Sequence, residues 1–444
     1  MTRHRSALAA ALGLAAATLA LPAAAGSYKV LYSFCAQAHC TDGKGPNGLI
    51  EDKKGNLYGT VYQGGAKGFG GIFELKHGAA GRYRYKLLYS FCAEQNCVDG
   101  GYPTGGLIID TKGNLYGTAL IGGSQGNGEV FELKRAKQKH APAGWSIAVL
   151  YGFCPQANNC TDGVGPDSGL AYAGAQSGAP YDGTSPLFGT TDGGGVVNVW
   201  QGVAYEIQPL NGGWNFNVIY SFCAQANCAD GAYPFATLVE DSSGNLYGTA
   251  LEGGNSSGSG TAFELSPANG GWSESVLYTF CGLANCTDGA SPHGGLVLDS
   301  AGNLDGTTLE GGASCSIDPA GCGATFTLAP NGNAWQESVT HTFCARGACG
   351  NGANPQGEPA ATNRDLFAIA EDGGDTRHLT GGGGTLYEMS KSGFKLLHRF
   401  CARTDCTDGA SPLDGPLRDS AGDLLGTASA GGEHAGGVVY GYAP

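Results

Sequence analysis

Directly before a Gly-Gly pair the chain carries Glu252 and Glu310, and Glu371 and Asp372 stand near the equivalent place further along. The divergent stretch TNRDLFAIAEDGGDTRHL around them adds Arg364, Asp365, Asp375, Arg377 and His378, and His293 lies in the preceding segment. Carboxyl groups set beside histidine and arginine can do acid–base work on a sugar polymer, one carboxyl protonating the leaving oxygen while another activates water or attacks. Glu310, Glu371, Asp372 and His293 are the candidates for that chemistry, with Glu252, Arg377 and His378 as candidates to hold a ligand. The competing reading is a solvated acidic rim.

Aromatic residues offer a second chemistry. Tyr102 and Tyr233 sit in Asp-Gly-x-Tyr-Pro sequences, and Tyr62 and Trp200 lie in Gly-Gly regions. Exposed rings there could stack on sugar faces. After a proline that recurs at Pro46, Pro103, Pro166, Pro234, Pro292, Pro355 and Pro412, the next residue changes every time: Asn47, Thr104, Asp167, Phe235, His293, Gln356, Leu413. Change on a repeated scaffold is where a ligand site can be written, and relaxed packing gives the same pattern; Asp167 and Phe235 join the ligand-binding candidates on this ground. Nucleophile elbows, phosphate loops, HExxH and dinucleotide fingerprints are missing from the sequence, so no cofactor or metal is expected.

The elements that must position these residues come in seven copies. Each begins with an aromatic segment ending in Phe-Cys, at Phe34, Phe91, Phe153, Phe222, Phe280, Phe343 and Phe400, with spacings of 57 to 69 residues. A second Cys and then Asp-Gly-x-x-Pro follow, and the Asp, at Asp42, Asp99, Asp162, Asp230, Asp288 and Asp408 with Asn351 once, reads as a turn device rather than a calcium ligand. The second copy reads as strands KLLYSF, GLIID, NLYGTAL and EVFEL, with Gly, Asn, Asp and Pro at the joins. Four short strands cannot bury their own faces and must stack on copies of themselves.

The chain enters on a strand at 28–34 of the kind that elsewhere ends a repeat, and leaves at 437–442 on one that elsewhere is followed by it. The phase predicts an all-β, seven-bladed propeller of four-stranded blades in which strand 28–34 closes the last blade, so that no sheet edge stays open. The blades are expected at about 46–91, 103–153, 166–222, 234–280, 292–343, 355–400 and 412–444 of a single domain spanning 26–444.

The 16 cysteines are spaced as pairs: Cys35 with Cys40, Cys92 with Cys97, Cys154 with Cys160, Cys223 with Cys228, Cys281 with Cys286, Cys344 with Cys349 and Cys401 with Cys406, and Cys315 with Cys322 in an extra loop. An even count with each pair inside one repeat predicts local disulfides. Zinc is disfavoured because two thiolates per repeat half-fill a tetrahedral site. Residues 1–25 read as a secretory signal, with Arg3 and Arg5, an apolar run and Ala23-Ala24-Ala25. Without them, 22 basic side chains face 38 acidic ones, a balance that disfavours nucleic acid and anionic lipid. The expected product is a secreted or periplasmic monomer that does not insert in a membrane.

The string VLYSF, DGxxP, GLIxD, GNLYGT, GG and GTxFEL resembles the Gloeo_Verruco (GloVer) tandem repeat of choice-of-anchor bacterial exported proteins. The resemblance implies a β-propeller-like exported protein and no settled activity; the sorting anchor with which other members tend to end is not expected here. Three functions remain open: binding of an extracellular polysaccharide or envelope component, polysaccharide hydrolysis or lysis by carboxylates of blades four to six, and a structural or interaction scaffold.

Overall fold

The computed structural model describes residues 26–444 except 136–143, 156–159, 196–199, 314, 316, 333, 346–348 and 363–364. The signal at 1–25 and Arg364 therefore lie outside the described residues. Seven antiparallel sheets make the expected seven-bladed propeller. In blade two, Ile108–Ile109, Leu115–Ala119, Glu129–Arg135 and Trp145–Gly152 pair in that order from the axis outward. In blade three the innermost place is held by the single bridge between Ala171 and Phe188.

Burial follows from stacking. The second strand of blade two is buried along its whole length, because both faces meet neighbouring blades, whereas its outer strand is only partly covered. Each apolar cluster is shared between two blades: Tyr58, Ile72 and Leu88 of blade one pack with Leu115, Phe131 and Leu133 of blade two. Phe34, Leu425 and Val439 likewise pack with Leu57, Phe73 and Leu75, joining the last blade to the first. Ser27–Ser33 pairs antiparallel with Val438–Ala443, so the amino-terminal strand closes the seventh blade as the phase of the repeat requires.

Hydroxyls stitch neighbouring blades near the axis. Thr118, Thr190 and Thr249 donate to the carbonyls of Ser168, Ala236 and Gly294 of the next blade, at 2.8, 3.4 and 3.1 Å. The D-x-x-G-N turns are tied by their first residue: Asp110 accepts from the backbone N–H of Lys112 and Asn114 and from the Asn114 amide, at 2.8 to 2.9 Å.

All eight cysteine pairs are disulfides within their own repeats, as the spacing predicts. Cys35 is bonded to Cys40, Cys92 to Cys97, Cys154 to Cys160 and Cys223 to Cys228. Cys281 is bonded to Cys286, Cys344 to Cys349 and Cys401 to Cys406, and Cys315 to Cys322 in the extra loop. The seven recurrent bonds each seal a short loop, and in six of them the Asp of Asp-Gly organises that loop from inside. Asp99 accepts the Tyr89 hydroxyl at 2.6 Å and the backbone N–H groups of Ala93 and Glu94 at 2.8 and 3.0 Å. In the loop that enters blade six both partners change together, and His341 Nε2 faces Asn351 Nδ2 at 2.9 Å. The recurrent carboxylate oxygens are thus occupied by the loop's own donors. The disulfides point to an oxidising compartment. Among the described residues no helix is long and apolar enough to cross a membrane.

Candidate functional site at the channel mouth

The residue before each recurrent proline adopts the left-handed region, as Gly45, Tyr102, Gly165, Tyr233, Ser291, Asn354 and Ser411. For tyrosine that conformation costs roughly 1–2 kcal/mol, so it has to be held in place. In blade four the Tyr233 N–H donates to the Gln201 carbonyl at 2.9 Å, and the Tyr233 carbonyl accepts from Leu251 N–H at 3.0 Å. After the proline the chain turns into the innermost strand, and seven such turns converge on the axis.

They converge with the variable residue pointing at one cavity. Asn47, Thr104, Asp167, Phe235, His293, Gln356 and Leu413 all line a cavity of about 330 Å³, together with Glu371, Glu358 and Asp414. One wall carries flat groups: Phe235 stacks on His293 with ring centroids 5.3 Å apart, and Tyr233 lies beyond Phe235 at 6.5 Å. The adjoining wall, from blade six, is polar, with Gln356 Nε2 donating to Glu371 Oε2 at 2.7 Å.

Burial sets the protonation of these groups. It lowers the His293 pKa below the ordinary imidazole value, partly offset by the Asp167 charge, so the ring is neutral at pH 7. Burial and then the neighbouring Asp372 charge raise Glu371, against the pull of the Gln356 amide. Asp192, close to Asp167, is raised to about 6 by burial and that second charge.

Deeper in the channel are two carboxyls that sequence reasoning misses. Glu358 occupies a place that is Gly106, Gly169, Gly295 or Gly415 in other repeats, and Asp414 one that is Gly105, Gly294 or Gly357. A side chain appearing where sibling repeats have glycine is the signal that could have found them. Glu358 is open to channel solvent but ringed by protein, and burial plus the Asp414 charge raise it to about 7. Asp414 is itself raised by burial, while its Oδ1 accepts Gly415 N–H at 2.8 Å. Both also line a cavity of about 990 Å³ at the other mouth, where Lys53, Lys54, Lys112, Arg135 and Arg418 gather.

The other candidates are dispersed. Glu310 Oε2 accepts the Ser291 hydroxyl at 3.0 Å and is not in the cavity wall, so Glu310 and Glu371 stand in different surroundings. Glu252 is exposed beside the bridge to Ala232. Asp372 feels the charge of Asp318 in the extra loop of blade five. Arg377 pairs with Asp375 at 2.9 Å on an exposed loop that also carries His378. Tyr62, Tyr102 and Phe69 form a ring cluster between blades one and two, with centroids 5.1 and 5.2 Å apart. Trp200 is 52% exposed and adjoins Gln201, the residue that holds Tyr233.

The count of two cysteines per site fails at one seam. Cys315, Cys322, Cys344 and Cys349 place their sulfurs within 4.8 Å of one another, paired as two disulfides.

A family model described as the Gloeobacter/Verrucomicrobia repeat matches residues 18–185 and 139–317. No curated protein matches the chain. Among solved structures, an ulvan lyase of polysaccharide lyase family PL25 is 12% identical, with a TM-score of 0.50 over 90% of this chain and 93% of that one. A fungal alcohol oxidase of the AA5 family in complex with copper is 11% identical, with a TM-score of 0.50 over 95% and 76%. The sialidase of Trypanosoma rangeli is 9% identical, with a TM-score of 0.41 over 83% of this chain, which spans about 57% of its length. At such identities the likeness to the lyase and the oxidase is one of fold.

Proposed function

Because the chain belongs to the Gloeobacter/Verrucomicrobia repeat family, whose unit here repeats its scaffold seven times and varies at the axis, we propose that this propeller binds carbohydrate at the channel mouth. The ligand is a polysaccharide or envelope glycan met outside the cytoplasm. One observation carries this reading: the seven residues that differ after the recurrent proline line one cavity. Flat rings beside amide and carboxyl groups in one cavity suit the apolar face and hydroxyl edge of a sugar. A volume of about 330 Å³ is small among ligand cavities and suits a chain end or branch rather than a long segment lying flat.

Cleavage is the second reading, favoured by a neutral His293 and by the raised carboxyl of Glu371 in the same cavity as Asp167. A panel of neutral and acidic polysaccharides, read for retention and for new reducing or unsaturated ends, separates the two. Retention without new ends supports binding; new ends support cleavage; neither outcome leaves a scaffold.

A further inference from the structure

At the seam between blades five and six the chain departs from its own rule of one cysteine pair per repeat. The extra loop of blade five brings the Cys315–Cys322 disulfide against the Cys344–Cys349 disulfide, with Cys322 Sγ 4.0 Å from Cys349 Sγ. Cys322, Cys344 and Cys349 are 0, 1 and 8% exposed, whereas Cys315 is only partly buried. The Cys322 carbonyl accepts Asn354 N–H at 2.9 Å, which ties this half-cystine to blade six. Sulfurs held this way are close enough for one pair to react with the other, and one member of the set, Cys315, is partly exposed.

We propose that these four cysteines form a thiol–disulfide exchange relay that accepts a small external thiol at Cys315 and ends in a cross-link between blades. The external thiolate attacks Cys315 Sγ, a mixed disulfide forms there, and the Cys315–Cys322 bond breaks with its electron pair on Cys322. The Cys322 thiolate then attacks Cys349 Sγ. Cys322–Cys349 forms, Cys344–Cys349 breaks, and Cys344 leaves as a thiolate that takes a proton from water. Two staples within blades become one between them, plus one mixed disulfide and one thiol. The loop that carries Asp318, whose charge reaches Asp372, is thereby fixed to the next blade. The other six pairs have no second pair within this distance among the described residues.

The test treats the exported, oxidised protein with limiting glutathione, quenches in acid, alkylates free thiols and maps linkages by non-reducing digestion. The relay predicts glutathione on Cys315, alkylation on Cys344 and a Cys322–Cys349 peptide, with the other six pairs intact. Alkylation of Cys322 without that peptide, or even reduction of all pairs, overturns it. Cys315→Ser provides the second arm by leaving Cys322 unpaired from the start. Its free thiol is predicted at Cys344; a free thiol confined to Cys322 refutes the relay. If that variant does not fold, the glutathione map of the unmodified protein decides alone.

Discussion

Gly437 lies against Pro46 across the closure of the ring: a Cβ built on Gly437 falls well inside contact distance of Pro46 Cδ. The same arrangement joins every pair of neighbours: a Cβ built on Gly260, for example, would fall 2.5 Å from Pro292 Cδ. Gly437 has φ near +93°, so an alanine there meets both a clash and a backbone penalty. Gly437→Ala is expected to destabilise the fold by about 2 kcal/mol or more. Chemical denaturation of that variant and of Gly260→Ala checks this; an unchanged midpoint for Gly437→Ala means that the seam does not contribute to stability.

Closure by the amino-terminal strand gives a stronger test. Deleting residues 28–34 removes the partner of Val438–Ala443 and Phe34 from the shared cluster, leaving an exposed sheet edge. The truncated protein is expected to melt well below the mature form and to aggregate on storage. Matching melting curves would mean that the ring does not need this strand.

Glu129 gives a pH dependence of known sign. It is fully buried where other repeats carry residues such as Thr261 or Val438, and only Oε2 finds a donor, Gly123 N–H at 2.8 Å. Burial pushes its pKa up to about 8, so between the ordinary carboxylate value and pH 8 the folded chain holds a proton that the unfolded chain releases. Stability from this group is therefore full at low pH and declines as pH rises through that window, by up to about 1.4 kcal/mol per unit. Glu129→Gln, which mimics the protonated acid, should match the unmodified protein at pH 5 and exceed it in melting temperature at pH 8. Parallel pH profiles would show that the carboxyl is not held neutral. Asp192 and Glu358, raised to about 6 and 7, act in the same direction, so the variant keeps a residual slope.

Much of the fold is legible in the sequence because repetition amplifies weak signals. One D-x-x-G-N turn is ambiguous, but Asp110 to Asn114 gains meaning from its copies, and the ring follows from the phase at 28–34. The cysteine pairs are legible for the same reason, since Cys92 and Cys97 have counterparts such as Cys223 and Cys228 at the same spacing. The seven residues after the proline stand out by their variation, and they do meet. Glu310 is harder, because a carboxylate before Gly-Gly looks the same in sequence whether it faces the channel or, as here, the Ser291 hydroxyl. Glu358 and Asp414 escape notice because they interrupt a row of glycines, where the eye reads a missing side chain as loop. The sulfur cluster is illegible for a different reason: Cys322 and Cys349 belong to different repeats, and only the packing of two blades brings them to 4.0 Å.

Acid–base cleavage, if present, should depend on the cavity wall rather than on the outer acidic loop. Glu371→Gln should abolish any product release at an unchanged melting temperature, whereas Asp375→Asn, confined to the exposed pair with Arg377, should leave it intact. Product formation lost only in the Asp375 variant would move the chemistry away from the channel.

The most direct test of carbohydrate binding at the channel mouth is glycan retention by channel-mouth variants on whichever polysaccharide the unmodified protein holds. Phe235→Ala and His293→Ala should each abolish or sharply weaken retention while circular dichroism and melting stay close to the unmodified protein. Lys112→Ala, at the opposite mouth, should change nothing. Full retention by both channel-mouth variants, or loss only in the Lys112 variant, would contradict binding at the variable end of the channel.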